Sequence, residues 1–334
     1  MKNKLINIKI FTLILILGSF LLGVTKVNAQ NVSIGIFPPI MQMDTTPPAN
    51  VNADFYVQNQ SDTSVDLNIV FKPFKPANNK NGEIEIIDSI ASFPDPLFIN
   101  RIKVLDQGEP IKTLTIGPKQ TQKLVLEVTL PPNEQKGDYY FTVFFVSKPL
   151  SSLKSNSTLA SATIGMNVLL TVGPKGKTEG GITRFETPFF VNSGPIPFKV
   201  EVANRSDHFF APTGEIIIKN MLGAKKGKVK LMPVNILSNS TRYIPDITQA
   251  NIESEGYKKI AEAVEDQSFP VAVFPQKFFL GIYTATLNVS LEENGPTFTK
   301  SITFFAFPIT YILTIFIVLG LIVFISLRVK KKIN

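Results

Sequence analysis

The chain has 334 residues, is rich in Phe (27) and Pro (24), and contains neither Cys nor Trp. Without cysteine it has no disulfide, thiol nucleophile, thiolate metal site or lipid-modified N-terminal Cys. Its net charge of +8 would suit a nucleic-acid binder, but the excess sits at the ends, in Lys2, Lys4, Lys9 and Lys26 and in Arg328, Lys330, Lys331 and Lys332. The middle therefore carries no field that would steer it toward phosphates.

The N-terminus has a basic start, an apolar run from Ile10 to Val24, and Val27-Asn28-Ala29 before Gln30. That order predicts a secretory signal peptide over 1–29, cleaved after the small residue.

Residues 30–175 read as a first β-sandwich domain. Val65, Leu67, Ile69 and Phe71 alternate with Asp66, Asn68 and Lys72, the period of a half-buried strand. Phe55 and Val57 supply a strand before it. The polar tetrad Asn59-Gln60-Ser61-Asp62 between the two is expected to be a hairpin turn, since Asn, Ser and Asp bond their own backbone. GEIEII (82–87), KLVLEVTL (123–130), YYFTVFFV (139–146) and ATIGMNVLLTV (162–172) continue the strands. Asn81-Gly82, Asp106-Gln107-Gly108 and Pro131-Pro132 are turn signals between them.

The Gly-rich, charged stretch GPKGKTEGG (173–181) marks a boundary. A second β-sandwich domain follows over 180–307, from GITRFETPFFV to FTKSITFFAF. It repeats marks of the first. Asn204-Arg205-Ser206-Asp207 follows a strand, and Gly281-Ile282-Tyr283 matches Gly137-Asp138-Tyr139. A Tyr opening a late strand, behind a Gly that lets the chain turn, is a corner device of immunoglobulin-like sandwiches. Tyr139 and Tyr283 are therefore expected to be structural. The polar segment 248–267 reads as a helical surface insertion.

Pro308 to Leu327 carries no charge and is long enough for a membrane-spanning helix, which needs about 20 residues. The basic residues of 328–334 would stay cytoplasmic. The expected topology is thus single-pass type I in the plasma membrane, with the bulk of the chain extracytoplasmic.

Catalytic chemistry finds little material. His208 is the one histidine, expected on the surface in a turn, so neither a His-based triad nor a two-His zinc centre can form. Glu292-Glu293 precedes Asn294-Gly295, a hairpin signal. Asp62 and Asp207 lack the dense acidic pattern of a calcium loop. Lys225, Lys226, Lys228 and Lys230 read as a solvated hairpin. No catalytic, cofactor-binding or metal-ligating residue is assigned, no cofactor is expected, and the ligand-binding residues stay open. Six Asn-x-Ser/Thr triplets, at Asn31, Asn59, Asn156, Asn204, Asn239 and Asn288, leave glycosylation open.

The segment FYVQNQSDTSVDLNIVFKPFKPANNKNGEIEI is similar to the N-terminal region of the WxL-interacting cell-surface proteins of Gram-positive bacteria. The matches are Asn59, Ser61, Asp62, Asn81 and Gly82. TIGPKQTQKLVLEVTLPPNEQKGDYYFTVFF resembles the family's later strands, with Pro118, Pro131 and Gly137 at turns. The order SNSTRYIPD to FFLGIYTATL resembles its second domain, and the 248–267 segment departs from it. The resemblance implies peptidoglycan binding by the first domain and contact with host or partner surfaces by the second.

The expectation is an all-β protein: two tandem immunoglobulin-like β-sandwich domains plus one C-terminal transmembrane helix. Its expected function is non-enzymatic binding of cell-wall polymer or an envelope protein at a membrane-anchored surface. A scaffold subunit of an envelope assembly is the alternative, and nucleic acid is not an expected partner.

Overall fold

The computed structural model describes residues 32–88, 98–147, 162–247, 271–276 and 278–333. The expected signal peptide, 1–29, and the whole 248–267 segment fall outside the described residues.

The chain is mostly β. The first group of strands is β1 (Ile34–Phe37), β2 (Ile40–Thr45), β3 (Ala49–Asn59), β4 (Val65–Pro76), β5 (Ile84–Ile86), β6 (Ile102–Asp106), β7 (Glu109–Ile111), β8 (Thr113–Ile116), β9 (Thr121–Leu130), β10 (Gly137–Ser147) and β11 (Thr163–Val172). They form two sheets. Sheet I has the order β1-β3-β9-β6-β7; sheet II has β2-β11-β10-β4-β5, with β8 also on β4. After it come β12 (Gly180–Glu186), β13 (Phe190–Val191), β14 (Ile196–Asn204), β15 (Thr213–Asn220), β16 (Lys225–Lys230), β17 (Thr241–Tyr243), β18 (Ala272–Phe274), β19 (Gly281–Ser290) and β20 (Thr297–Ala306). Sheet III is β12-β14-β17 with β18 on β14, and sheet IV is β13-β20-β19-β15-β16.

Alternation builds each core. Phe55 and Val57 of β3, Leu124 and Leu126 of β9, Leu67 of β4 and Phe141, Val143 and Phe145 of β10 meet between sheets I and II, all fully buried. Phe198, Val200 and Val202 of β14 meet Ile216 and Ile218 of β15, Leu287 of β19 and Phe304 of β20 between sheets III and IV. Each such side chain contributes about 1.5–3 kcal/mol on burial.

The two polar tetrads are not hairpin turns. β3 lies in sheet I and β4 in sheet II; β14 lies in sheet III and β15 in sheet IV. Each tetrad is an arch that crosses the core. An Asn side chain takes the place of the missing strand partner. Asn59 Nδ2 donates to the carbonyls of Thr63 (2.7 Å), Ile116 (3.1 Å) and Gly117 (3.0 Å). Asn204 Nδ2 donates to those of His208 (2.8 Å) and Ile236 (2.9 Å). In both arches the Asn Oδ1 accepts the N–H of the Ser two residues on. Both amides are buried and fully engaged, so neither nitrogen can accept a glycan.

Tyr139 and Tyr283 are corners. The Tyr139 hydroxyl donates to Glu134 Oε1 (2.7 Å) and the Gln135 carbonyl (2.9 Å). The Tyr283 hydroxyl donates to the Leu280 carbonyl and accepts the Leu280 N–H, both at 3.2 Å. Each follows a positive-φ glycine, Gly137 or Gly281, by two residues.

The expected transmembrane span is corrected. Helix α1 (Ile309–Ile333) runs on through Arg328 and the lysines, so the described residues expected as a basic tail continue the helix. No helix among the described residues is long and apolar enough to cross a membrane. The single-pass type I plasma-membrane topology, the membrane contact and the membrane anchoring drawn from that span fall with it.

Candidate functional site

His208 lies inside, contrary to the expectation of a surface position; it is 1% exposed. Its Nδ1 is 2.8 Å from Asp207 Oδ1, and its Nε2 is 3.3 Å from both Glu292 Oε1 and Thr178 Oγ1. A ring between two acids resembles part of a catalytic set. Here it ties three loops: the one after β14, the one after β19 and the strand-free segment before β12. The hydroxyl nearest to it, Thr178, donates to Glu292 Oε2 at 2.7 Å, and the ring has almost no surface from which to meet a substrate. Asp62 pairs with Lys119 at 3.0 Å on the surface. Among the described residues no cluster of three His, Cys, Asp or Glu could hold a metal.

A more organised place is the seam where sheet II meets the second pair of sheets. Phe74 of β4 and Leu169 of β11 are buried there together with Phe209 and Leu237. The Tyr140 ring stacks on Phe74 (5.7 Å) and meets Phe209 edge-on (6.5 Å). Polar bonds cross the same line. Phe209 N–H donates to Asp138 Oδ2 (2.6 Å), Ser238 N–H to the Tyr140 hydroxyl (3.1 Å), and Tyr243 N–H to the Lys80 carbonyl (2.9 Å). Lys80 Nζ reaches Glu201 at 3.2 Å.

These groups feel their burial. Loss of water pushes the Asp138 carboxyl up, although Tyr140, Thr171, the Phe209 N–H and the charge of His208 all work against it. Burial, together with the Asp138 carboxylate, pushes the Tyr140 hydroxyl up. Burial would also raise Glu201, but hydrogen bonds from Thr183 and Lys80 and the nearby charges of Lys80 and Arg184 hold it below its ordinary range.

The seam encloses a half-open cavity of about 120 Å³. Phe74, Ile84, Leu169 and Leu237 give it apolar walls; Arg242 gives it positive charge, and Lys80, paired with Glu201, and Glu83, bonded by Asn79, also line it. Arg242, on β17, donates from Nη1 to the Asn235 carbonyl at 2.7 Å. Its Nε is buried with no partner, and desolvation alone lowers its pKa. The guanidinium lies against the Gly82 turn. A Cβ at Gly82 would stand 2.1 Å from Arg242 Cζ, and φ there is +85°, so the position needs glycine twice over.

Beside this cavity runs the edge of sheet II. β2 lies parallel to β11 from the Ile40–Asn167 pair to the Thr45–Val172 pair. Before Asn167, β11 pairs with β10 on one side and, among the described residues, with no strand on the other, although β1 passes close by. The Asn167 N–H donates outward to the Pro39 carbonyl at 3.0 Å. Backbone groups alternate along a strand, so Gly165 and Thr163 direct their N–H and C=O to the same open edge. Ile40 and Asn167, where the edge is closed, also line the cavity. The lysines of 225–230 prove to be edge strand β16, paired with β15, where charge discourages a further strand.

Sequence reasoning named neither Arg242 nor Asp138 as a site residue. STRYIPD gave a strand but no hint of a cavity, since the cavity's other wall comes from β4, β5 and β11. The one available signal was a charged residue between strand-forming neighbours.

No protein-family model and no curated protein matches the chain. Solved structures do show likeness at low identity. A class 5 fimbriae chaperone, CfaA, is 10% identical with a TM-score of 0.38, covering 80% of this chain and 98% of its own. The Acinetobacter baumannii CsuC–CsuE chaperone–tip adhesion subunit complex gives 11%, 0.32, 63% and 89%. The Salmonella enterica SafA pilin–SafB chaperone complex gives 9%, 0.34, 84% and 99%.

Proposed function

We propose that the chain is a non-enzymatic binding protein that captures an extended segment of another protein of the cell envelope along the open edge of sheet II. The observation that carries the reading is the run Thr163–Met166 of β11, whose outward backbone groups have no partner among the described residues. An added strand gains its affinity from main-chain hydrogen bonds and its selectivity from pockets for alternate side chains. It needs no reactive side chain. The reading as two tandem immunoglobulin-like sandwiches rests on the paired tyrosine corners and paired arches. A protein is favoured over a wall polymer because the open groups are main-chain N–H and C=O in strand register, which an extended peptide matches along its length.

Site-specific photocrosslinking tests this. A crosslinker at Thr163 should trap one protein partner in cells, whereas one at Lys228 on the lysine-lined edge should not. Thr163→Pro removes an outward N–H without touching the β10 ladder and should abolish the adduct. Retention of purified wall polymer with no protein adduct at residue 163 would sink the strand-capture reading.

A further inference from the structure

We infer that the seam cavity is a carboxylate site, with Arg242 as its anion-binding residue. A guanidinium stays protonated in proteins and offers five donors in a rigid fork. Nε is buried without an acceptor, and among the described residues Nη1 makes the guanidinium's one hydrogen bond, to the Asn235 carbonyl. A buried, unsatisfied donor of this kind costs about 1–3 kcal/mol, more when charged. The neighbouring acid Glu201 does not relieve it, because Lys80 and Thr183 hold that carboxylate.

Shape and polarity select the anion. About 120 Å³ has room for a carboxylate and a few carbons, given roughly 30 Å³ per water. A planar carboxylate matches the guanidinium fork bidentately. The walls Phe74, Ile84, Leu169 and Leu237 favour an acid carried on an apolar stem and penalise a dianion. The source is a peptide, either a chain terminus or an acidic side chain. Its delivery rests on strand capture. A segment added beside Thr163–Met166 would end against Ile40 and Asn167, which line this cavity. The anion site itself does not depend on that capture.

The test uses the full chain and three small probes: N-acetyl-leucine, N-acetyl-leucinamide and N-acetyl-glutamic acid α-amide. Binding is read by NMR titration, including the Arg242 Hε resonance. At least one of the two acids should bind roughly ten-fold more tightly than the leucinamide, and which acid does so tells terminus from side chain. Arg242→Gln should erase the difference. Arg242→Lys keeps the charge but loses the fork, and should lose most of it. Thr163→Pro should leave the small-probe preference intact. Equal binding of acids and amide, absence of acid binding, or a preference surviving in Arg242→Gln would overturn the carboxylate site. A retained preference alongside a failed crosslink at residue 163 would remove strand capture alone.

Discussion

The main-chain N–H of Phe209 donates to the Asp138 carboxylate across the seam at 2.6 Å. The same carboxylate accepts the Tyr140 hydroxyl and, at 2.8 Å, that of Thr171. One side chain thus gathers donors from both halves of the chain. Asp138→Ala should cost about 1–3 kcal/mol by leaving buried donors unmatched. The check is urea unfolding, with a second transition expected if the seam opens first.

Asp138 also sets a pH dependence. Burial raises its folded pKa above the ordinary 3.8, so the folded state binds a proton more tightly than the unfolded chain. Its contribution is fully present below 3.8 and is lost as pH rises through the raised value. Glu201 has the opposite sign. Its folded pKa lies below the ordinary 4.5, so its contribution is present above 4.5 and is lost as pH falls through the folded value. Asp138→Asn should therefore remove the loss on the alkaline side of 3.8, and Lys80→Ala should move the acid-side loss to higher pH. Thermal melts between pH 3 and pH 7, in about half-unit steps, would show both; unchanged profiles would refute the assignment.

Asn59 makes three carbonyl bonds from one buried nitrogen. Asn59→Ala should cost about 3 kcal/mol, and Asn59→Asp should cost more, because a carboxylate cannot donate to carbonyls. The expected signature is a lowered denaturant midpoint with an unchanged slope.

Gly82→Ala tests the floor beneath Arg242. The left-handed backbone alone costs about 1–2 kcal/mol for a non-glycine residue, and the new Cβ would collide with the guanidinium. Arg242 should move, and carboxylate binding should fall along with the melting temperature. A melting temperature equal to wild type would show that the turn yields freely.

The strands with clean alternation were legible in the sequence: β4, β9, β10 and β11 overlap runs read from their pattern, and β20 overlaps FTKSITFFAF. The tyrosine corners were legible too, from a Gly two residues ahead of an aromatic at the head of a long run. What joined the strands was not. Alternation on either side of Asn59 fits a hairpin and an arch equally, and the bonds that decide between them reach Ile116 and Gly117, far along the chain. β7 spans three residues and includes Pro110, too little pattern to detect. His208 looked exposed because polar residues precede it, yet Thr178 and Glu292, from distant parts of the chain, meet its ring. Arg242 gains its character from Gly82, a contact no local window contains. At the C-terminus, hydropathy alone gave a span, but the helix continues through the basic residues meant to end it.

The bonds across the seam are asymmetric in chemical type. Phe209, Ser238 and Tyr243 contribute main-chain N–H groups, whereas Asp138 and Tyr140 answer two of these with side chains. Apart from the Lys80–Glu201 ion pair, where both flanks supply a side chain, a saturation scan should therefore register the polar part of this junction on one flank. Substitutions at Asp138 and Tyr140 would report the coupling, while at Ser238, whose hydroxyl donates to the Ser206 carbonyl within the second half, only proline would remove the bond that crosses the seam. The second half of the chain can thus drift in composition at such positions without losing its docking pose, so a comparison of related chains that scored side-chain identity alone would overlook half of the contact.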